Sequence, residues 1–162
     1  MQKMLILLLV LSVMGGQASA ETPEEWVALG TRVHGFFGGF IPVGIRIGLD
    51  AMERLHAQPR GLAVLYYQGE KAPCPCVVDG VMLAVHASPG QGTVQISPEK
   101  APSGLMAVVI VRDRKTGHGL RYTISDDWLP KMLSWNKEEP LKRFDDAIAA
   151  AGLFEVAPLS PQ

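Results

Sequence analysis

Residues 61–97 read GLAVLYYQGEKAPCPCVVDGVMLAVHASPGQGTVQIS, and the order of patterns inside them decides the fold class. Gly61 and Gly69 bound a short apolar run that reads as a buried strand. From Cys76 to Ala87 the apolar residues recur at helical period, and the turn SPGQG (88–92) closes that helix. The β-branched TVQIS (93–97) then reads as a second strand.

Working outward, LMAVVIVRD (105–113) and GLRYTIS (119–125) are two further strand-like runs, expected to pair as a hairpin around RKTGHG (114–119). KEEPLKRFDDAIAAAG (137–152) puts Leu141, Phe144 and Ile148 at helical spacing, with Pro140 to start the helix and Gly152 to stop it. On the other side, Thr22 and Glu25 form a capping-box pair with Pro23 between them, so a helix should run from Pro23 to about Val33. Gly35, Gly38 and Gly39 end it, and a second helix begins near Pro42 with Ile45, Leu49 and Met52 on one face. Gly44 and Gly48 lie one turn apart and should let another element come close. Helices first, strands next and a closing helix predict an α+β single domain over residues 21–155, a largely antiparallel sheet packed with helices. The tail 156–162 is expected to fray.

Lys3, the apolar run LILLLVLSV and the small residues up to Ala18 and Ala20 have the anatomy of a signal peptide, which predicts export to the periplasm or the extracellular space. Gly15, Gly16 and Gln17 interrupt the run too early for a membrane anchor, so no membrane span is expected after cleavage. Loss of Lys3 with that segment leaves one basic residue fewer than the 15 of the whole chain against 16 acidic ones, a formal charge of −2. Such a balance gives no footprint for nucleic acid or anionic lipid.

Both cysteines of the chain, Cys74 and Cys76, flank Pro75. Two residues apart, with one backbone angle fixed by proline, they are expected to remain free thiols rather than form a disulfide. Free thiols in an oxidising compartment point to metal binding or redox chemistry. With Pro75 in the first turn of its helix, Cys76 meets the unpaired N–H groups and positive dipole end that favour a thiolate. Asp79 follows one turn later on nearly the same face. His86 returns to that face but lies about 15 Å along the axis from Cys76. His34 sits in a glycine-rich turn at a helix end; His56 and His118 read as solvent residues. Phe36, Phe37 and Phe40 are core residues or, beside a cleft, the lining of an apolar pocket.

HGFFGGFIPVGIR (34–46) followed by CVVDGVMLAVHASPGQGT (76–93) resembles the E-subunit family of formylmethanofuran dehydrogenase. That family pairs a His-Gly-His-x-Cys-Pro-Gly segment and a Gly-x-Arg with a Cys-x-x-Asp helix and a Thr-x-Gly-x-Gly turn. Residue by residue, His34 and Gly35, Gly44 and Arg46, Cys76 and Asp79, and Ser88, Gly90 and Gly92 take those positions. Phe36 stands for the second histidine, Gly38 for the cysteine, Gly39 for the proline and Ala87 for a further cysteine, and no cysteine after Cys76 supplies the C-terminal zinc finger of some members. The resemblance implies an α+β core, metal at the His and Cys positions, and a homodimer. It does not imply the dehydrogenase reaction, because a pterin metal centre and iron–sulfur clusters exceed what two cysteines can hold.

These readings converge on an exported metal-binding or metal-handling domain with His34 and Cys76 as first ligands and Cys74 and Asp79 as second. The expected cofactor is a divalent metal, zinc first for mixed S, N and O donors, although soft thiolates also suit copper(I). Two functional alternatives stand beside it, next to the plain reading in which the cysteines are inert packing residues. One is a thiol enzyme with Cys76 as nucleophile, His34 as base and Asp79 as orienting group. The other is a metal-tetrapyrrole or small-molecule binder lined by Phe36, Phe37 and Phe40.

Overall fold

The computed structural model describes residues 21–161; the segment read as a signal peptide lies outside them. Elements follow in the order α1 (Pro23–His34), α2 (Ile41–Arg54), β1 (Leu62–Gln68), α3 (Val77–Val85), β2 (Val94–Ile96), β3 (Leu105–Asp113), β4 (Gly119–Ser125), α4 (Leu129–Trp135), α5 (Pro140–Ala149) and β5 (Glu155–Leu159). The sheet order is β2-β1-β3-β4-β5, antiparallel except for the parallel pair β1 and β2, which α3 connects. The fold is therefore the expected α+β single domain with a largely antiparallel sheet. Among the described residues, no helix is long and apolar enough to cross a membrane.

Strand alternation aims one face of the sheet at the helices. Val64 pairs with Val111 and Tyr66 with Val109, and β4 continues those rows with Leu120 and Tyr122; all six are buried. On the opposite face Leu65, Ile110 and Arg121 line up across three strands and are only half-buried. A shallow cleft of about 370 Å³ floored by Tyr67, Val108 and Ile110 lies there, on the side turned away from the helices.

The helical layer is built around one very close crossing. A Cβ on Gly44 would lie 2.9 Å from the Cα of Gly80, and one on Gly48 would lie 2.6 Å from the Cβ of Ala84. Backbone thus meets backbone between α2 and α3, as the Gly44 and Gly48 spacing anticipates. α1 runs antiparallel to α3: its last residue, His34, meets Asp79 in the first turn of α3, while Glu21, just before α1, lies 3.8 Å from His86 at the other end of α3.

Three expectations are corrected. The tail does not fray: residues 155–159 form β5, because the exposed edge of β4 offers the hydrogen bonds that the sequence alone does not advertise. Leu141 is 41% exposed, leaving Phe144 and Ile148 to carry the inner face of α5. Cys74 and Cys76 are not free thiols but form a disulfide. Its physical reason is the turn through Pro75, which brings the two Cα atoms to 5.2 Å, inside the range that a disulfide spans.

Candidate functional site

Three segments meet where α1 ends and α3 begins. α1 is started by the capping box, in which the Thr22 backbone N–H donates to Glu25 at 2.7 Å and the Glu25 N–H donates back to the Thr22 hydroxyl at 3.3 Å. It is stopped by Gly35 in the left-handed region, φ 85°, whose N–H donates to the Thr31 carbonyl. His34 is therefore the final helical residue, and the chain turns away directly after it.

The loop that follows is held from outside. Buried Arg143 donates to the carbonyls of Trp135 (2.8 Å), Asn136 (3.1 Å), Glu138 (2.7 Å) and Phe37, and its guanidinium lies over the exposed ring of Phe36 at 4.9 Å. The Gly39 N–H donates to the Asn136 side chain at 2.8 Å. Burial lowers the Arg143 pKa from its ordinary value, with Glu139 and Glu138 opposing that shift. A guanidinium is protonated throughout the neutral range even so, and it anchors the turn next to His34 to the α4–α5 connection. No local pattern in the sequence marks Arg143 for this work. Arg46, by contrast, stands at the resemblance's Gly-x-Arg position; it donates to the carbonyls of Ala147 and Ala150 at the end of α5 and lies over the Phe154 ring at 5.0 Å. Both arginines brace the site's scaffold rather than line it.

The structure joins His34 and Asp79 across 45 positions: His34 Nδ1 lies 2.7 Å from Asp79 Oδ2, with 28% and 30% of the two side chains exposed. A carboxylate only accepts, so Nδ1 is the nitrogen that carries the proton. In the neutral imidazole Nε2 is then the one left with a lone pair. This is the arrangement by which an outer carboxylate orients a metal-bound or proton-accepting imidazole. Cys76 is the N-cap residue of α3, one turn before Asp79, and its side chain makes no capping hydrogen bond. Cys76 is 8% exposed, whereas Cys74 is partly open.

The donor types suit zinc, but their number falls short. A zinc site takes three or four protein donors, and the closed disulfide withdraws both sulfurs. Among the described residues, no group of three or more His, Cys, Asp or Glu side chains stands ready to hold an ion. His86 sits in the left-handed region at the far end of α3, φ 55°, remote from Cys76 as its spacing predicts. Phe37 and Phe40 are buried in the core at 2% and 5% exposure, so only Phe36 of the aromatic trio faces outward. Phe37 and Phe40 pack in the core, while the Phe36 ring lies under the Arg143 guanidinium.

The family model described as FmdE, Molybdenum formylmethanofuran dehydrogenase operon, matches residues 33–153. That span opens one residue before His34 and takes in Cys74, Cys76 and Asp79. No curated protein matches the chain.

Proposed function

This chain belongs to the FmdE family, and from that premise, which gives it a metal-related role at the level of the family, we propose that it is an exported metal-binding domain. His34 supplies Nε2, Cys76 supplies a thiolate, Cys74 is placed to add a second, and Asp79 orients the imidazole or joins the ligands. The observation that carries the reading is the His34–Asp79 bond at 2.7 Å, set one helical turn from the N-cap cysteine. Mixed N, S and O donors favour zinc. Residues 1–20 carry the export signal, and Glu21 becomes the first residue of the mature chain.

Thermal unfolding with and without zinc tests this, in a phosphine buffer that keeps both sulfurs as thiols. With free zinc at a hundred times its dissociation constant, the domain should gain about 2.7 kcal/mol, on the order of 10 °C in Tm for a chain of this size. His34→Ala and Cys76→Ser should each remove that gain. Persistence of the full gain in either variant would place the metal elsewhere.

One observation favours a second reading. The orienting carboxylate on His34 is also what a thiol enzyme needs, with Cys76 as nucleophile and His34 as base. In that case alkylation of reduced Cys76 should slow markedly in His34→Ala, whether or not metal is present.

A further inference from the structure

The disulfide and a metal ion at this site compete for the same sulfur atoms. We propose that Cys74–Cys76 is a thiol–disulfide exchange site whose state decides whether the site can hold a metal: closed, it excludes the ion, and opened, it completes the ligand set. This rests on the metal-binding reading above. It adds a reaction and a class of reactant, an external thiol or dithiol reductant, that the reading does not contain.

Four features support it. The first is that a cross-link between residues two apart closes a very short loop, so it restricts the unfolded chain very little. Around it the core is packed mainly by other residues, with α2 against α3 and both over the sheet. Stability is therefore a weak explanation for its presence.

Accessibility is the second. Cys74 is partly open while Cys76 is 8% exposed, so an incoming thiolate reaches the Cys74 sulfur first. The third feature is the leaving group. Attack at Cys74 forms a mixed disulfide with the reductant and breaks the bond to Cys76, which departs as a thiolate carrying the electron pair. That thiolate appears at the N-cap of α3, where the side chain makes no capping hydrogen bond in the closed form. There the backbone N–H groups of the first turn can receive the charge. A second thiolate then attacks the reductant's sulfur in the mixed disulfide and releases Cys74 as a thiolate. The sum is one protein disulfide reduced to two thiolates and two reductant thiolates joined as a disulfide.

The fourth feature ties exchange to the metal. The protein sulfur freed first belongs to Cys76, one turn before Asp79, the residue that holds the His34 imidazole. Closed, the site offers at most one nitrogen and one carboxylate. Opened, it offers one or two sulfurs in addition, the three or four donors that zinc requires.

The test uses the mature chain prepared in two forms, disulfide-bonded and reduced with tris(2-carboxyethyl)phosphine. In that reduction the phosphine becomes its oxide, taking oxygen from water as the disulfide gains two protons and two electrons. Each form is incubated with zinc chloride, passed through a desalting column, and assayed for zinc per chain and for free thiols. The reduced form should retain about one zinc per chain, and the disulfide form at least tenfold less. Reoxidation should release the ion as two thiols disappear. Cys74→Ser cannot close the bond, so its zinc content should be the same with and without the phosphine treatment. Equal zinc retention by the disulfide and reduced forms of the natural chain would overturn the exchange proposal while leaving the metal-binding reading in place. A disulfide that resists phosphine in the folded protein would overturn it too. Zinc retained by neither form, nor by Cys74→Ser, would remove the metal-binding reading and this inference together.

Discussion

Two tyrosines on one row of the sheet, on either side of Val109, show how differently the same side chain can be spent. Tyr66 and Tyr122 are both fully buried on the helix-facing side. The Tyr122 hydroxyl donates to Asp50 at 2.7 Å, and that carboxylate also accepts from Arg54 at 2.7 Å. The Tyr66 hydroxyl has no partner among the described residues. Burial pushes both phenols above their ordinary pKa, so both stay protonated across the neutral range. An unpaired buried hydroxyl costs free energy, whereas one bonded to a carboxylate contributes it. Tyr66→Phe should leave stability within about 0.5 kcal/mol of the natural chain or raise it, while Tyr122→Phe should lower it by about 1–2 kcal/mol. Urea unfolding of the two variants gives the comparison; equal losses would show that the hydroxyls are not what distinguishes them. At this scale His34, Cys76 and Asp79 could be picked out from the sequence because each stands at a helix end, where side-chain chemistry is exposed by default. The disulfide could not. Its closure depends on the path of the chain through Pro75, a distance that spacing alone leaves open.

The crossing of α2 and α3 is where whole elements depend on single hydrogen atoms. Glycine to alanine in a helix ordinarily gains up to about 1 kcal/mol. At Gly44 the new Cβ would lie 2.8 Å from the Val81 nitrogen, and at Gly80 it would lie 2.7 Å from the Ile45 nitrogen. Backbone atoms of a packed helix cannot rotate aside, so the helices must separate. Gly44→Ala and Gly80→Ala should each destabilise the domain by about 1–3 kcal/mol or more, read as a fall in Tm. A gain in Tm for either would mean that the helices are not in backbone contact.

The β3–β4 hairpin carries a milder, pH-dependent contribution. The Asp113 carboxylate accepts from the N–H groups of Thr116 and Lys115 at 2.8 and 2.7 Å. Those bonds, the one from Thr116 foremost, hold its pKa below the usual carboxylate value. A depressed folded-state pKa contributes stability above the unfolded value, about 3.9, and that contribution is lost as pH falls through the folded one. The stability gap between the natural chain and Asp113→Ala should therefore be level above about pH 5 and shrink below about pH 4. Solvent screening at this turn keeps it under about 1 kcal/mol. A gap that widens on acidification would contradict the assignment.

Elements with local signatures were readable in advance: the capping box of α1, the β-branched strands and the proline starts of α2 and α5. β5 was not, since Glu155–Leu159 has one β-branched residue and a proline, and is a strand only because β4 lies beside it.

At the largest scale, the described helices stand on one side of the sheet and leave the other half-open, so the core of the described residues is two layers deep. The order of elements was enough to anticipate an α+β single domain with a largely antiparallel sheet, though not that its helices gather on one face. The guanidinium of Arg143, which ties together segments more than a hundred positions apart, was beyond reach because tertiary contacts alone define it. The two margins of the sheet have a consequence of their own. One is β2, three residues long, and the other is β5, interrupted by Pro158, which has no N–H to offer. A foreign strand laid along either margin would find too few matching groups to continue the ladder. The sheet is thus a finished ribbon that does not template its own growth, so its strands are kept from being copied into fibres.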